Sequence, residues 1–230
     1  MCGRFILTSP GSEIARIFGL ARAPAVEPRY NIAPTQQALV VRETADGQRS
    51  ADRLRWGLVP FWADEEKIGH RLINARAETA SGKPAFRAAF KHRRCLVPCD
   101  GFYEWAPGKP RKRPHLVVAG DGSQPFALGG LWERWEPDDR EPLETFTILT
   151  TEANESVRPL HDRMPVVLAR EHYAAWLTPG PLEGELAGRW QQPWPAEDTG
   201  AREVGLAVND PSHDAPDCLD PPDAPPLPPD

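Results

Sequence analysis

Apolar residues fall in short blocks, some alternating and some continuous, separated by Pro, Gly and Asp, which is the spacing of β-strands joined by tight connections. Residues 2–7, 38–42, 53–59, 94–105, 115–119, 126–133, 146–151, 164–168 and 203–208 read as strands. Asp46-Gly47 marks a hairpin between the second and third of these, and Asp121-Gly122 a later turn. Residues 21–37 read as an irregular loop. Ser9-Pro10 opens a short helix that ends at Gly19, with Ile14, Ile17 and Phe18 on its apolar face. Phe86 and Phe90, four apart, predict a second helix within residues 84–93, and a third lies around 171–177. The block 94–105 is interrupted at Pro98. Beyond it, alternation sets Phe102 and Glu104 on one face and Tyr103 and Trp105 on the other, so a carboxylate shares a face with phenylalanine.

Strands outnumber helices and most connections are short. The expected fold is α+β, mainly antiparallel β, with a partly closed, barrel-like core and a few flanking helices. A chain of 230 residues is most simply one domain, here residues 1–208. Residues 209–230 carry six Asp, eight Pro and no Lys or Arg, and are expected to be a disordered tail.

The net charge of −6 hides an asymmetry. Residues 1–115 hold 20 Lys/Arg against 11 Asp/Glu, whereas residues 116–230 hold 7 against 22. A nucleic-acid site on the basic half is therefore compatible with an acidic total. No apolar run approaches the ~18–20 residues of a membrane span, and no signal segment precedes the domain, so a soluble, cytoplasmic monomer is expected. The four cysteines lack CxxC pairing, which gives no sign of a metal, and no organic cofactor is implied. Cys95 and Cys99 read as buried strand residues.

Candidate chemistry begins at Met1-Cys2-Gly3-Arg4-Phe5. While Met1 remains, the nitrogen of Cys2 is an amide and cannot attack a carbonyl. With Met1 removed, Cys2 presents an α-amine and a thiol on adjacent carbons. That pair captures an aldehyde as an imine and then closes a five-membered thiazolidine ring. Glu104 suits the proton transfers if its apolar surroundings raise its pKa toward neutrality. Asn74 both donates and accepts, and His161 titrates near neutrality. Arg4 and Arg76 lie beside these residues in sequence and suit the phosphates of a nucleic-acid strand, with Arg71 and Lys83 extending the path. Trp62 suits stacking on a base, while Trp56 and Trp105 suit the core.

Cys2-Gly3-Arg4-Phe5, Arg29-Tyr30-Asn31-Ile32-Ala33-Pro34, Trp56-Gly57-Leu58-Val59-Pro60, Asn74-Ala75-Arg76-Ala77-Glu78-Thr79, Cys99-Asp100-Gly101-Phe102-Tyr103-Glu104-Trp105 and His161-Asp162-Arg163-Met164-Pro165 occur in this order. Together they resemble the SRAP family (SOS response-associated peptidase), abasic-site processing proteins that shield damage in single-stranded DNA by attaching themselves to it. The resemblance runs from Cys2 to about Asn209 and gives nothing for the tail past Leu219. It implies that mature Cys2 attacks the ring-opened abasic sugar, with Asn74, Glu104 and His161 around it, and that Met1 is removed, in some cases by the protein itself. A lyase-type reversal, and association with the nucleoid when DNA is bound, follow from the same reading. It also assigns Asn31, Pro34 and Thr150 to the DNA, by resemblance only. Two other classes use the same residues: an N-terminal-nucleophile cysteine protease or amidase with Asn74 in an oxyanion hole, and a non-covalent single-stranded nucleic-acid binder.

Overall fold

Two sheets divide the strands between them. The computed structural model describes residues 2–222 except 45, 109–110, 123–124 and 139. In chain order its elements are β1 (Phe5–Leu7), α1 (Gly11–Phe18), β2 (Arg29–Ile32), β3 (Gln37–Glu43), β4 (Arg49–Trp56), β5 (Asn74–Arg76), α2 (Ala77–Ala80), α3 (Arg87–His92), β6 (Arg94–Cys99) and β7 (Gly101–Ala106). There follow β8 (Arg113–Ala119), β9 (Phe126–Trp135), β10 (Leu143–Glu152), β11 (Arg163–Pro165), β12 (Val167–Leu168), α4 (Tyr173–Leu177), α5 (Gly184–Arg189) and β13 (Thr199–Glu203).

The larger sheet closes on itself. β4, β3, β6 and β9 pair antiparallel in that order, and β10 joins both ends, antiparallel to β9 and parallel to β4. The resulting five-stranded barrel leaves no free edge among those strands, and β6 is buried at every residue, as the apolar run from Cys95 to Cys99 requires, with Arg94 at its start donating to the carbonyls of Phe90, Trp176 and Gly180. The smaller sheet, β13-β8-β7-β1-β2, is antiparallel throughout. Phe5 of the smaller sheet packs edge-on against Trp56 of the barrel with ring centroids 5.3 Å apart. Trp56 in turn stacks on Phe146 at 6.2 Å. These rings weld the two sheets into one core. As the alternation predicts, Phe102 joins that core, while Tyr103 packs into a second cluster with Ile6, Leu116, Val204, Val208 and Cys218.

The chain passes from barrel to smaller sheet at Asp100, not at Pro98. Pro98 stays in register opposite Ala127, whereas Asp100 is fully buried and accepts from Thr8 N (2.5 Å), Thr8 Oγ1 (2.9 Å), Ser9 N (2.7 Å) and Ser9 Oγ (2.7 Å). One carboxylate thus ties the end of β1 and the approach to α1 to the β6–β7 corner. Asp100→Ala strands donors that the carboxylate now satisfies and is expected to destabilise by about 3 kcal/mol, since each charge-assisted bond is worth about 1.5–3 kcal/mol and the half-exposed Thr8 and Ser9 recover some of it from water. Thermal unfolding checks this, with a drop in Tm of about 6–12 °C for a chain of this size; Asp100→Asn, which keeps one acceptor oxygen, should lose less.

The acidic segment corrects one expectation. Residues 209–222 are folded, not disordered, and 223–230 lie outside the described residues. Cys218 is fully buried, and Asp214 accepts from the backbone N–H groups of Tyr30 (2.6 Å) and Asn31 (2.9 Å) while pairing with Arg29. The amide of Asn31 donates to the carbonyls of Asp210 (2.8 Å) and His213 (2.7 Å). A segment with few apolar residues is held because β2 satisfies its backbone. That same contact makes residues 29–32 a strand where local sequence reads as loop. The final strand also differs: it is Thr199–Glu203, and Leu206–Asn209 forms a 3-10 turn instead of continuing it. No helix among the described residues is long and apolar enough to cross a membrane.

Candidate functional site

The β1–β7 register brings the start of the chain to Glu104. Phe5 lies opposite Phe102 and Ile6 opposite Gly101, so continuing the pairing sets Gly3 opposite Glu104; the Tyr103 N–H donates to the Arg4 carbonyl at 2.9 Å. Cys2 is fully buried and Glu104 nearly so, at 3% exposure. Burial raises the Glu104 carboxyl to about 7, against the opposing pull of the amino-terminal charge, the Trp105 N–H and the Lys112 ammonium. Burial, reinforced by the Glu104 charge, also pushes the Cys2 thiol far above its ordinary value, so the sulfur is protonated at neutral pH. The site therefore holds a thiol, and a carboxyl that is half-protonated near pH 7.

His161 precedes β11 and belongs to the same electrostatic neighbourhood. Its pKa is lowered by burial, then by the amino-terminal charge, with Lys112 and Arg163 acting in the same direction and Asp162 against. The backbone N–H of Arg163 donates to His161 Nδ1 at 3.0 Å, which leaves the proton of the neutral ring on Nε2. Asp162 Oδ1 also lies 2.7 Å from Nδ1, a contact that favours the charged ring. Partial burial and the surrounding positive charges outweigh it. Asn74, on β5, faces Ile148 of β10, and its Nδ2 reaches the Ile148 carbonyl only at 3.5 Å. Its Oδ1 is buried with no hydrogen-bond partner among the described residues. An orphaned acceptor of this kind suits a ligand or a mobile donor.

The residues expected to meet DNA divide into two groups. Arg76 and Arg71 are exposed, Pro34 is half-buried and Trp62 is 48% exposed beside the equally open Phe61. Arg76 lines a cleft with Glu152, Arg158, Asp162 and Arg163, and pairs in register with Thr150. Thr150 itself is fully buried, its hydroxyl without a partner among the described residues. Asn31 has no exposed surface, and Arg4 is committed to Asn31 Oδ1 (2.7 Å) and the Val208 carbonyl (2.6 Å), with its guanidinium over Trp105. In this arrangement Asn31 and Arg4 brace the C-terminal segment, a role set by contacts too distant in sequence to be read from it. Arg163, not singled out from the sequence, forks onto Glu78 (2.8 and 2.9 Å) and donates to the Thr150 carbonyl. Only its place in the motif, two residues after His161, pointed to it. Among the described residues, His213, Asp217 and Cys218 are the group with three potential metal donors within 4.8 Å, and they lie on the C-terminal segment apart from the candidate catalytic set.

Known proteins resemble this chain over most of its length. The chain is 40% identical over 223 residues to the abasic site processing protein YoqW of Bacillus subtilis, spanning 96% of this chain and 99% of that one. It is 31% identical over 184 residues to the abasic site processing protein YedK of Escherichia coli, covering 77% and 79% respectively. It is 30% identical over 224 residues to the abasic site processing protein HMCES of Gallus gallus, covering 84% of this chain and 66% of that one. A solved structure of a protein from Bacteroides thetaiotaomicron superposes with a TM-score of 0.83 at 25% identity, over 96% of this chain and 99% of that one. The family model described as SOS response associated peptidase matches residues 1–211, and the chain belongs to that family.

Proposed function

We propose that this protein captures abasic sites in single-stranded DNA through the amine and thiol of a mature N-terminal Cys2, leaving a thiazolidine link that shields the lesion. The observation that carries the reading is the nearly buried Glu104, with a pKa of about 7, at the register position beside the first residues of the chain. Removal of Met1 exposes the α-amine. An ordinary α-amine, with a pKa of about 7.7–8.0, is roughly a tenth neutral at pH 7 and adds to the aldehyde carbon of the ring-opened sugar. The protonated carboxyl of Glu104 delivers a proton to the departing hydroxyl, which leaves as water and gives the imine. The Cys2 sulfur then adds to the imine carbon, its proton passes to the nitrogen, and the ring closes. The net change is the loss of one water. The same carboxylate that gave a proton in the first step takes one in the second, which a pKa near 7 permits.

Asn74 Oδ1 supplies an acceptor for the new amine. His161, neutral with Nε2–H, is the donor suited to the sugar ring oxygen when the ring opens and to reversal of the link. Arg76, Arg71 and Pro34 line the strand's path, and Trp62 offers a base a stacking face worth about 1–3 kcal/mol. Arg4, Asn31 and Thr150 are assigned supporting roles behind that surface. The strongly raised thiol favours this order of events over thiolate-first proteolysis, because a buried neutral sulfur is a poor first nucleophile.

The test pairs two measurements. Intact mass shows whether Met1 is absent, and incubation with single-stranded DNA bearing one abasic site is followed on a heat-denaturing gel. A heat-stable adduct is expected with abasic but not intact DNA. Protein lacking Met1 that gives no such adduct would defeat the proposal.

A further inference from the structure

We propose that Lys112 is a phosphate anchor for the captured strand, its ammonium holding a phosphodiester beside Glu104 and His161. The proposal rests on the covalent-capture reading for its kinetic consequences, although binding alone tests its first half. Arg111, Lys112 and Arg113 form a basic run at the entrance to β8. Ala106 pairs with Arg113 and Glu104 with His115, so this run lies at the loop end of the hairpin whose β7 arm carries Glu104. The spacing of about 3.4 Å per strand residue sets the Lys112 backbone roughly 10 Å along the sheet from the Glu104 pair, a gap that its flexible four-carbon side chain shortens.

The members of the run are used differently. Arg113 pairs with Glu203 at 3.0 Å, but Arg111 and Lys112 are exposed and make no hydrogen bond or ion pair among the described residues. Arginines elsewhere are mostly matched, as in Arg42 with Asp52 and Glu144, Arg93 with Glu133 and Arg163 with Glu78. Of the two unmatched cations, Lys112 is the one whose charge reaches both Glu104 on β7 and His161 before β11, lowering the pKa of each. An ammonium felt on both elements stands near the space between them. Such a compact, mobile point charge suits a phosphate of a flexible strand better than a fixed fork does.

Occupancy of this anchor changes the chemistry. A bound phosphate cancels the ammonium's field and lets Glu104 move upward, toward the protonated form that delivers the first proton. Strand arrival then prepares the acid. Lys112 is thus a positioning residue with an electrostatic consequence.

Two backgrounds separate this inference from the reading beneath it. In Cys2→Ala, binding to single-stranded DNA carrying a reduced, unreactive abasic analogue is followed against salt. Lys112→Gln should flatten the log–log slope by about 0.7, the loss of one phosphate contact on a single strand, and Lys112→Arg should restore it. With Cys2 intact, the pH profile of adduct formation is read. The titratable and charged groups around Glu104 are the amino terminus and Cys2 on the β1 side, His115 across the hairpin, His161, and Lys112. Removing only the last should move the Glu104 limb to higher pH. Equal melting temperatures confirm that each variant is folded. An unchanged slope together with an unchanged limb in Lys112→Gln, while the parent still forms its adduct, overturns the inference. If the parent forms no adduct, the capture reading falls and the salt slope alone decides the anchor.

Discussion

Cys2→Ala should form no heat-stable adduct with abasic single-stranded DNA, a loss of the whole signal and not a fraction of it. Alanine keeps an α-amine at the same place once Met1 is removed, so the imine can still form, but no sulfur is present to close the ring. The variant should therefore be trapped on DNA by borohydride and released without it. That split separates the two halves of the aminothiol: the amine accounts for capture and the thiol for permanence. The variant is structurally mild because it removes a single sulfur atom, although the burial of Cys2 means that a small cavity is left in the core. A heat-stable adduct in Cys2→Ala would place the nucleophile elsewhere. A chain that retains Met1 should resemble neither form, because its first amine lies one residue too early and Cys2 nitrogen stays an amide.

The elements legible in the sequence were those decided by near neighbours. Gly19 ends α1 in the left-handed region at φ 68°, where the absence of Cβ matters, and Gly47 does the same for the β3–β4 hairpin at φ 76°. Glycine adopts that region at no steric cost, which is why both turns can be read from one residue. The alternation through Phe102, Tyr103, Glu104 and Trp105 reports local pleat and holds across the β1–β7–β8 pairing. Elements decided by distant partners were not legible. Residues 29–32 carry no strand pattern of their own and extend because β1 lies on one side and Asp214 binds their N–H groups. β13, Thr-Gly-Ala-Arg-Glu, is a polar edge strand, while the apolar Leu206 and Val208 beside it imitate a strand in a 3-10 turn.

The candidate site shows the same division. Cys2, Glu104 and His161 stand out by residue type and motif, and electrostatics connects them. Arg4 and Asn31 stand out equally, yet their side chains serve the folded C-terminal segment, because a buried amide takes whichever backbone groups the fold brings to it. Lys112 is the converse. In sequence it is one basic residue in a basic loop, and only the hairpin register and its reach to two candidate catalytic groups distinguish it.

Glu104→Gln should slow adduct formation by at least about 100-fold, or about 2.7 kcal/mol at roughly 1.36 kcal/mol per tenfold, the lower end of what positioned proton transfer contributes. Non-covalent affinity for the unreactive analogue should be retained, because glutamine keeps the shape and removes only the titration. Stability should move the other way. The folded pKa of about 7 stands above the ordinary glutamate value of about 4.3, so between those values the folded state binds more protons than the unfolded one. Stability supplied by the protonated carboxyl is complete below about pH 4 and is lost as pH rises through about 7. Glutamine is neutral throughout. The melting temperature of Glu104→Gln relative to the parent should therefore climb across this window and level off above it, with a gain of roughly 3–4 kcal/mol at about pH 8, the size of the shift from about 4.3 to about 7 at about 1.36 kcal/mol per unit. A variant that is slower yet more stable at alkaline pH is the signature of a carboxyl held in a costly environment for its chemistry. A variant equally stable at every pH would mean that Glu104 ionises in the fold as readily as in water. The same residue could not then serve as acid at neutral pH, and the capture mechanism would need another donor.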